Sequence, residues 1–246
     1  HDMLDDIWYG KHPARILLAP LGRLYQACAW ARRAAYASGL LNVYRAPVPI
    51  IVVGNISTGG TGKTPLVMWL ARKLKEFGFQ PGIVARGYRG VAKNWPQQVR
   101  ADSDPVAVGD EAVLLARRTG LPVAVGPNRR MAIIALRKHS GVNIIISDDG
   151  LQHYALARDI EIAVVDGIRR FGNGACLPAG PLREPASRLD WVDLIVTNGL
   201  AGRGEFSMRY LADRVHRLVD AQSSETFETF EPKVVHAVAG IGNPER

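Results

Sequence analysis

The chain has 246 residues, of which 47% are hydrophobic and 22% charged. Those proportions exclude a disordered tail, a collagen-like repeat and a low-complexity polymer, and the length suffices for one large domain or two small ones. The formal net charge of +8 implies an anionic partner: nucleic acid, an anionic membrane or a phosphorylated substrate.

Two cysteines occur, Cys28 and Cys176, with no CxxC, and the six histidines show no HxxxH or HExxH spacing. A disulfide framework and a structural zinc site are unsupported, and a reducing compartment fits. Residues 7–45 contain no acidic residue, while Lys11, Arg15, Arg23, Arg32, Arg33 and Arg45 are basic. The stretch also carries Ile16, Leu17, Leu18, Leu21 and Trp30. Arginine interrupts it too often for a spanning helix, which needs about 20 apolar residues. Basic, apolar and aromatic residues together predict a helical segment lying in a membrane interface. A helical hairpin packed on the rest of the chain is the alternative.

After Arg45 the pattern changes. Residues 48–53 form a short, largely β-branched apolar run closed by Gly54, which predicts a buried parallel strand. Helical spacing follows over 65–77, then a strand over 82–85 and a polar loop over 87–105. A helix is predicted over 110–118, a strand over 122–125, a helix over 128–139 and a strand over 143–147. Further strands are predicted over 160–165, 194–197 and 233–239. Strand and helix in alternation predict an α/β fold: a three-layer sandwich with a mostly parallel sheet and its ligand at the carboxyl ends of the strands.

Gly59-Gly60-Thr61-Gly62-Lys63-Thr64 follows a strand and opens a helix, the context a P-loop needs. Glycines let successive N–H groups turn inward around a phosphate, and the helix N-terminus adds its positive end. Lys63 is predicted on the outer phosphates of a nucleotide and Thr64 on Mg2+. The common pattern has glycine six residues before the lysine, where this chain has Ser57. The apolar strand that ends in Asp148-Asp149 has the Walker-B arrangement, which aims a carboxylate at that Mg2+. Spacing leaves open which of the two ligates it. Asp110, with Glu111, opens a helix after Gly109. Spacing alone fits a catalytic base or an acid that complements the helix dipole equally well. Arg183, in a Pro- and Gly-fixed loop over 178–185, has the geometry of a phosphate clamp or of a plain surface loop. Arg86, Arg89, Arg129 and Arg130 individually read as solvated charges, and His153 as a hydrogen-bonded structural residue.

Val53-Gly54-Asn55, the glycine-rich run, Arg86-Gly87-Tyr88, Val108-Gly109-Asp110-Glu111, Asp148 through His153 and Leu177 through Pro185 occur in that order. The set resembles the tetraacyldisaccharide 4'-kinase family, the lipid A 4'-kinases of Gram-negative bacteria. The resemblance implies transfer of the γ-phosphoryl of ATP to the 4'-hydroxyl of a tetraacylated disaccharide 1-phosphate, giving lipid IVA, at the cytoplasmic face of the inner membrane. It implies ATP on Gly59, Gly60, Thr61, Gly62, Lys63 and Thr64, and Mg2+ on Thr64, Asp148, Asp149 and Glu184. It makes Asp110 the catalytic base, with Lys63 and Arg183 in the catalytic set. The implied partners are the acylated lipid and an anionic membrane surface, with no nucleic acid and no obligate protein partner.

The family's base acts with a histidine from a segment beyond Gly240 through Arg246. The ending resembles a strand and a helix start cut off mid-domain, so a C-terminally truncated chain is expected, able to bind nucleotide but poor at phosphoryl transfer. The expected division is 1–45 for the membrane-interface helices, 46–225 for the P-loop kinase domain and 226–246 for the start of a further α/β portion. A nucleotide-driven switch protein is the competing reading. Thr58 stands where many such proteins carry a signature lysine, and Thr197-Asn198-Gly199 stands where a guanine-reading NKxD would lie. Both favour an ATP-using kinase.

Overall fold

A computed structural model describes residues 3–211, 214–216, 223–231, 234 and 236. Eight strands form one sheet: β1 (Ile50–Gly54), β2 (Pro81–Ala85), β3 (Gln97–Val99), β4 (Val123–Val125), β5 (Ile144–Asp148), β6 (Ile160–Asp166), β7 (Leu194–Asn198) and β8 (Phe206–Met208). Their spatial order is β3-β4-β2-β5-β1-β6-β7-β8. Every neighbouring pair is parallel except β3 with β4. β1 is central, with Val53 in register with Asp148 of β5 and Ile162 of β6.

All of β1 is buried. Ile51 and Val53 face one core, and Ile50 and Val52 face another. Burial on both faces is why this strand reads as a continuous apolar run rather than an alternating one. Helices α1 (Met3–Trp8) and α2 (Ala14–Ala37) precede the sheet, and α3 (Lys63–Glu76), α4 (Pro105–Val108), α5 (Asp110–Thr119) and α6 (Arg129–His139) are interleaved with it. Leu66 and Val67 of α3 join Val113 and Leu115 of α5 in the first core. Ala132, Ile133 and Leu136 of α6 fill the second. Asn128 caps α6, its side-chain oxygen accepting the Met131 N–H at 3.3 Å. The three predicted layers are present.

The stretch over 87–105 departs from the expected loop, because it contains β3. That strand is three residues long, lies at an edge and buries Val99 alone, so it leaves no periodic signal. The opposite edge strand β8 is equally short. Beyond the sheet, β9 (Arg214–His216) and β10 (Ser224–Thr226) form an antiparallel pair. The predicted strand over 233–239 and the expected cut-off end over 240–246 lie outside the described residues, apart from 234 and 236.

The N-terminal segment packs on the rest of the chain, as its alternative reading expects. Ile7 of α1 is buried, and the Trp8 indole donates to the Pro178 carbonyl at 3.0 Å. Gly22 of α2 lies so close to the loop around Cys176 that a Cβ there would meet the Cys176 carbonyl at 2.9 Å and Ala179 at 3.0 Å. The helix is therefore docked by one face. Leu17, Leu21 and Leu24 follow helical spacing on the opposite face, and are 81%, 52% and 61% exposed. Among the described residues no helix is long and apolar enough to cross a membrane.

Candidate active site

The glycine-rich turn joins β1 to α3 at the carboxyl edge of the sheet. Gly62 adopts φ 99° immediately before α3. A Cβ there would lie 2.3 Å from the Tyr210 hydroxyl and 2.6 Å from Asn198 Nδ2, so no larger residue fits. Gly59 also has positive φ, and space around Gly59 and Gly60 is open. The turn thus keeps one face clear while Asn198, at the end of β7, donates to the Thr61 carbonyl at 3.2 Å behind it.

A second segment straps the turn. Thr58 N–H donates to the Pro181 carbonyl at 2.8 Å, and Arg183 N–H to the Ile56 carbonyl at 2.7 Å. These bonds flank an antiparallel bridge between Ser57 and Leu182. The strap brings Arg183 to the Walker-B carboxylates. Its guanidinium Nη1 donates to both oxygens of Asp149 at 3.0 Å. Lys63 Nζ lies 3.7 Å from Asp149 Oδ1 and donates to Asn55 Oδ1 at 3.2 Å.

Adjacent carboxylates are treated oppositely. Burial works to raise the Asp149 pKa, but Lys63 and Arg183 outweigh it and hold the group below its ordinary value. Asp149 sits at φ 49°, a turn that swings it away from the strand direction of Asp148. Burial pushes Asp148 up to about 6, against Lys63, with Asp149 and Glu111 pushing the same way as burial. Asp148 Oδ1 is buried without a protein hydrogen-bond partner, as are Asn55 Nδ2 and Thr61 Oγ1. Each such atom costs roughly 1–3 kcal/mol when left unsatisfied. A divalent cation beside Asp148 and phosphate oxygens in the turn would relieve that cost, so the donor set fits Mg2+ and a nucleotide. No group of three or more His, Cys, Asp or Glu suited to a metal occurs among the described residues.

Glu184, next to Arg183, is engaged by other side chains. It is buried, accepts from Gln152 Nε2 at 2.8 Å and also accepts from the Tyr154 hydroxyl. Lys63, Asp148, Asp149 and Arg183 are thus brought together, and Thr64 follows at the start of α3. Asp110 is not drawn into that group. It opens α5, exposed, and its Oδ1 accepts the Glu111 N–H at 2.9 Å.

Arg129 corrects the sequence reading. Rather than a solvated charge it is buried, donating to the Asp148 carbonyl at 2.8 Å and the Gly126 carbonyl at 3.3 Å. Burial lowers its pKa to about 10. No local pattern marks it, since a cation in a helix's first turn looks the same in sequence whether buried or exposed. Asn55, which holds Lys63, is a second site residue that spacing does not mark. Its signal is the polar residue set directly after a wholly apolar strand. His153 is half-buried in the turn after β5. Its pKa falls to about 4 through burial and the nearby guanidinium groups of Arg129, Arg158, Arg32 and Arg86.

Comparison with known proteins adds an independent line. A family model described as LpxK, Tetraacyldisaccharide-1-P 4'-kinase, matches residues 14–246. A tetraacyldisaccharide 4'-kinase of Nitrosococcus oceani is 56% identical over 239 residues, covering 97% of this chain and 70% of the relative. One from Aeromonas salmonicida is 52% identical, covering 99% of this chain and 73% of the relative. A crystal structure of LpxK from Aquifex aeolicus in complex with ATP superposes with a TM-score of 0.71 at 30% identity. That match covers 80% of this chain and 64% of the Aquifex protein, so the chain spans just under two thirds of its length.

Proposed function

The chain belongs to the tetraacyldisaccharide-1-P 4'-kinase family, and from that premise we propose that it transfers the γ-phosphoryl of ATP to the 4'-hydroxyl of a tetraacylated disaccharide 1-phosphate, giving lipid IVA. The observation that carries the reading is the convergence of Lys63 and Arg183 on Asp149 beneath a strapped glycine turn. Two cations within 3.7 Å of Asp149, at the end of a buried strand, support a site for phosphate oxygens beside them.

In this reading the N–H groups from Gly59 to Lys63 cradle the phosphates. Thr64 and Asp148 would hold Mg2+, which would supply charge neutralisation to the nucleotide's phosphates. Asp149 orients Lys63 and Arg183 toward the transferring group, and so completes the metal-facing pair. Glu184 retains lone pairs beyond those used by Gln152 and Tyr154, and joins the metal set through them. Asp110 accepts the proton of the acceptor hydroxyl as its oxygen attacks the γ-phosphorus and the bond to ADP breaks. Its exposure at the rim suits a group that meets a substrate arriving from outside.

The acceptor carries acyl chains, so it resides in a membrane. The outward leucines of α2 and the one-signed charge of residues 7–45 suit an anionic lipid surface. We place the chain at the cytoplasmic face of the bacterial inner membrane as a peripheral or monotopic protein. Residues 1–45 are the membrane-facing helices and 46–225 the kinase domain.

The test is transfer of radiolabel from γ-labelled ATP to the acylated disaccharide in anionic mixed micelles. The expected result is Mg2+-dependent labelling of the lipid, reduced by about 10³-fold or more in Lys63→Ala, since cations on the transferring phosphoryl group are worth about that much. Label released only to water, or full activity in Lys63→Ala, would overturn it.

A further inference from the structure

Three segments bear the charges at the site: the turn after β1, the turn after β5, and the strap over 176–185. Their relative placement decides whether Lys63, Asp149 and Arg183 meet. One side chain touches all three segments. Gln152 lies in the turn after β5, four residues beyond Asp148. Its amide nitrogen donates to the Asn55 carbonyl at 3.0 Å and to Glu184 Oε2 at 2.8 Å. A primary amide has two N–H bonds, so both donors are used and neither bond is shared.

We propose that Gln152 is a positioning residue for phosphoryl transfer, tying the phosphate turn to the Arg183-bearing strap through the two N–H bonds of one amide. The inference rests on the kinase reading above and deepens it. Each end of the tie is one residue from the chemistry. Asn55 supplies the oxygen that holds Lys63 Nζ. Glu184 adjoins Arg183, whose guanidinium grips both oxygens of Asp149. Glu184 is braced from its other oxygen by Tyr154, so a pull from Gln152 is transmitted to the strap rather than absorbed by a free side chain. The backbone bonds from Thr58 to Pro181 and from Arg183 to Ile56 dock the strap along its length. Gln152 fixes its end, where Arg183 projects.

Chemistry restricts what can stand here. Asparagine is one methylene shorter. Glutamate cannot donate, and would set a second carboxylate against Glu184. Methionine matches the length and fills the volume, but makes neither bond. Loss of the tie leaves the N–H groups of Gly59 to Gly62 in place, so ATP still docks. Arg183 and Lys63 lose their mutual alignment, and such a misplacement is felt in the chemical step.

The experiment uses Gln152→Met and Gln152→Glu in the full chain. It reads steady-state phosphorylation of the acylated disaccharide together with hydrogen exchange at the Arg183 amide in ligand-free protein. In Gln152→Met, kcat is expected to fall about 10–100-fold, as for partners that orient reacting groups, with KM for ATP changed less than about threefold. The Arg183 amide should exchange faster than in the parent. Gln152→Glu should fall further. A packing role predicts parental kcat and parental exchange in Gln152→Met, and that result overturns the proposal. So does a raised KM for ATP with kcat intact, which would make Gln152 a nucleotide-binding group. If the parent fails to phosphorylate the lipid, the kinase reading fails by itself. The exchange measurement still judges the tie, and unchanged protection at Arg183 refutes it.

Discussion

The phosphate cradle and helix α2 invert the ordinary rule of burial in opposite directions. In the cradle, charged and polar groups lie inside: Asp148, Arg129, Glu184 and Asn55 are all buried. On α2, Leu17, Leu21 and Leu24 lie outside, and their opposite face already holds the helix to the protein. Buried charge is costly unless paired, and exposed apolar area gains nothing in water. The cradle's partners are mostly its own, yet Asp148 Oδ1, Asn55 Nδ2 and Thr61 Oγ1 have none. The helix has no cover on its leucine stripe among the described residues. Unsatisfied buried polar atoms suit the polyphosphate and cation of the proposed reaction, and an uncovered leucine stripe beside arginines suits the proposed lipid surface.

Asp110 is the sharpest way to break this comparison, because it belongs to neither inversion. It is polar and exposed, as an ordinary surface residue is. If function sat only where burial is inverted, Asp110→Ala would be silent. The proposed proton transfer predicts instead that kcat falls about 10²–10⁴-fold. Nucleotide affinity should stay near parental, since Asp110's hydrogen bond is to its neighbour Glu111 and none joins it to the cradle. Rapid-mixing kinetics beside fluorescent-nucleotide titration separates the two. An unchanged kcat would leave Asp110 with the helix dipole alone.

The leucine stripe sharpens the other side. Leu17→Ser with Leu24→Ser removes two exposed side chains and no core contact. Full burial of a leucine is worth about 1.5–3 kcal/mol, and half of that for each of two leucines weakens partition by about tenfold or more. Flotation with anionic vesicles measures it. Partition equal to the parent would show that the stripe does not meet lipid, while the melting temperature should not move in either case.

Legibility in sequence followed the same division. The central strands were readable because burial on both faces makes them unbroken apolar runs, ended by Gly54 or Asp148. The glycine turn was readable because positive φ and close approach demand glycine at fixed places. The strap was not readable as a strap. Ser57 and Leu182 pair through an isolated bridge between segments 125 residues apart, and an isolated bridge has no period. Burial of Arg129 is illegible for a related reason: its partners Gly126 and Asp148 lie at two different strand ends, and a helix's first residue carries no mark of that. The edge strands β3 and β8 are too short to show alternation. The docking of α2 is not legible, since Gly22, the contact that holds the helix down, is a lone glycine in an apolar run.

The smallest effect probes how the positive end of the cradle tolerates its own charge. His153 lies near Arg129, Arg158, Arg32 and Arg86, and burial together with those cations lowers its pKa from 6.5 to about 4. In the unfolded chain it takes up a proton near pH 6.5, while in the folded chain it does so only near pH 4. Between those values the unfolded state binds more protons, so stability rises with pH across the window and is lost as pH falls through it. Above about pH 6.5 the imidazole is neutral in both states and its contribution is flat. His153→Gln keeps a polar side chain but cannot be protonated, so its melting temperature should fall less steeply than the parent's between pH 6.5 and 4. Calorimetric scans across that range decide it, and parallel slopes would mean that the imidazole is charged in the folded protein despite the four guanidinium groups around it. A flattened slope would instead show that the arginines at this end of the sheet repel an additional cation, the condition an anionic substrate would exploit.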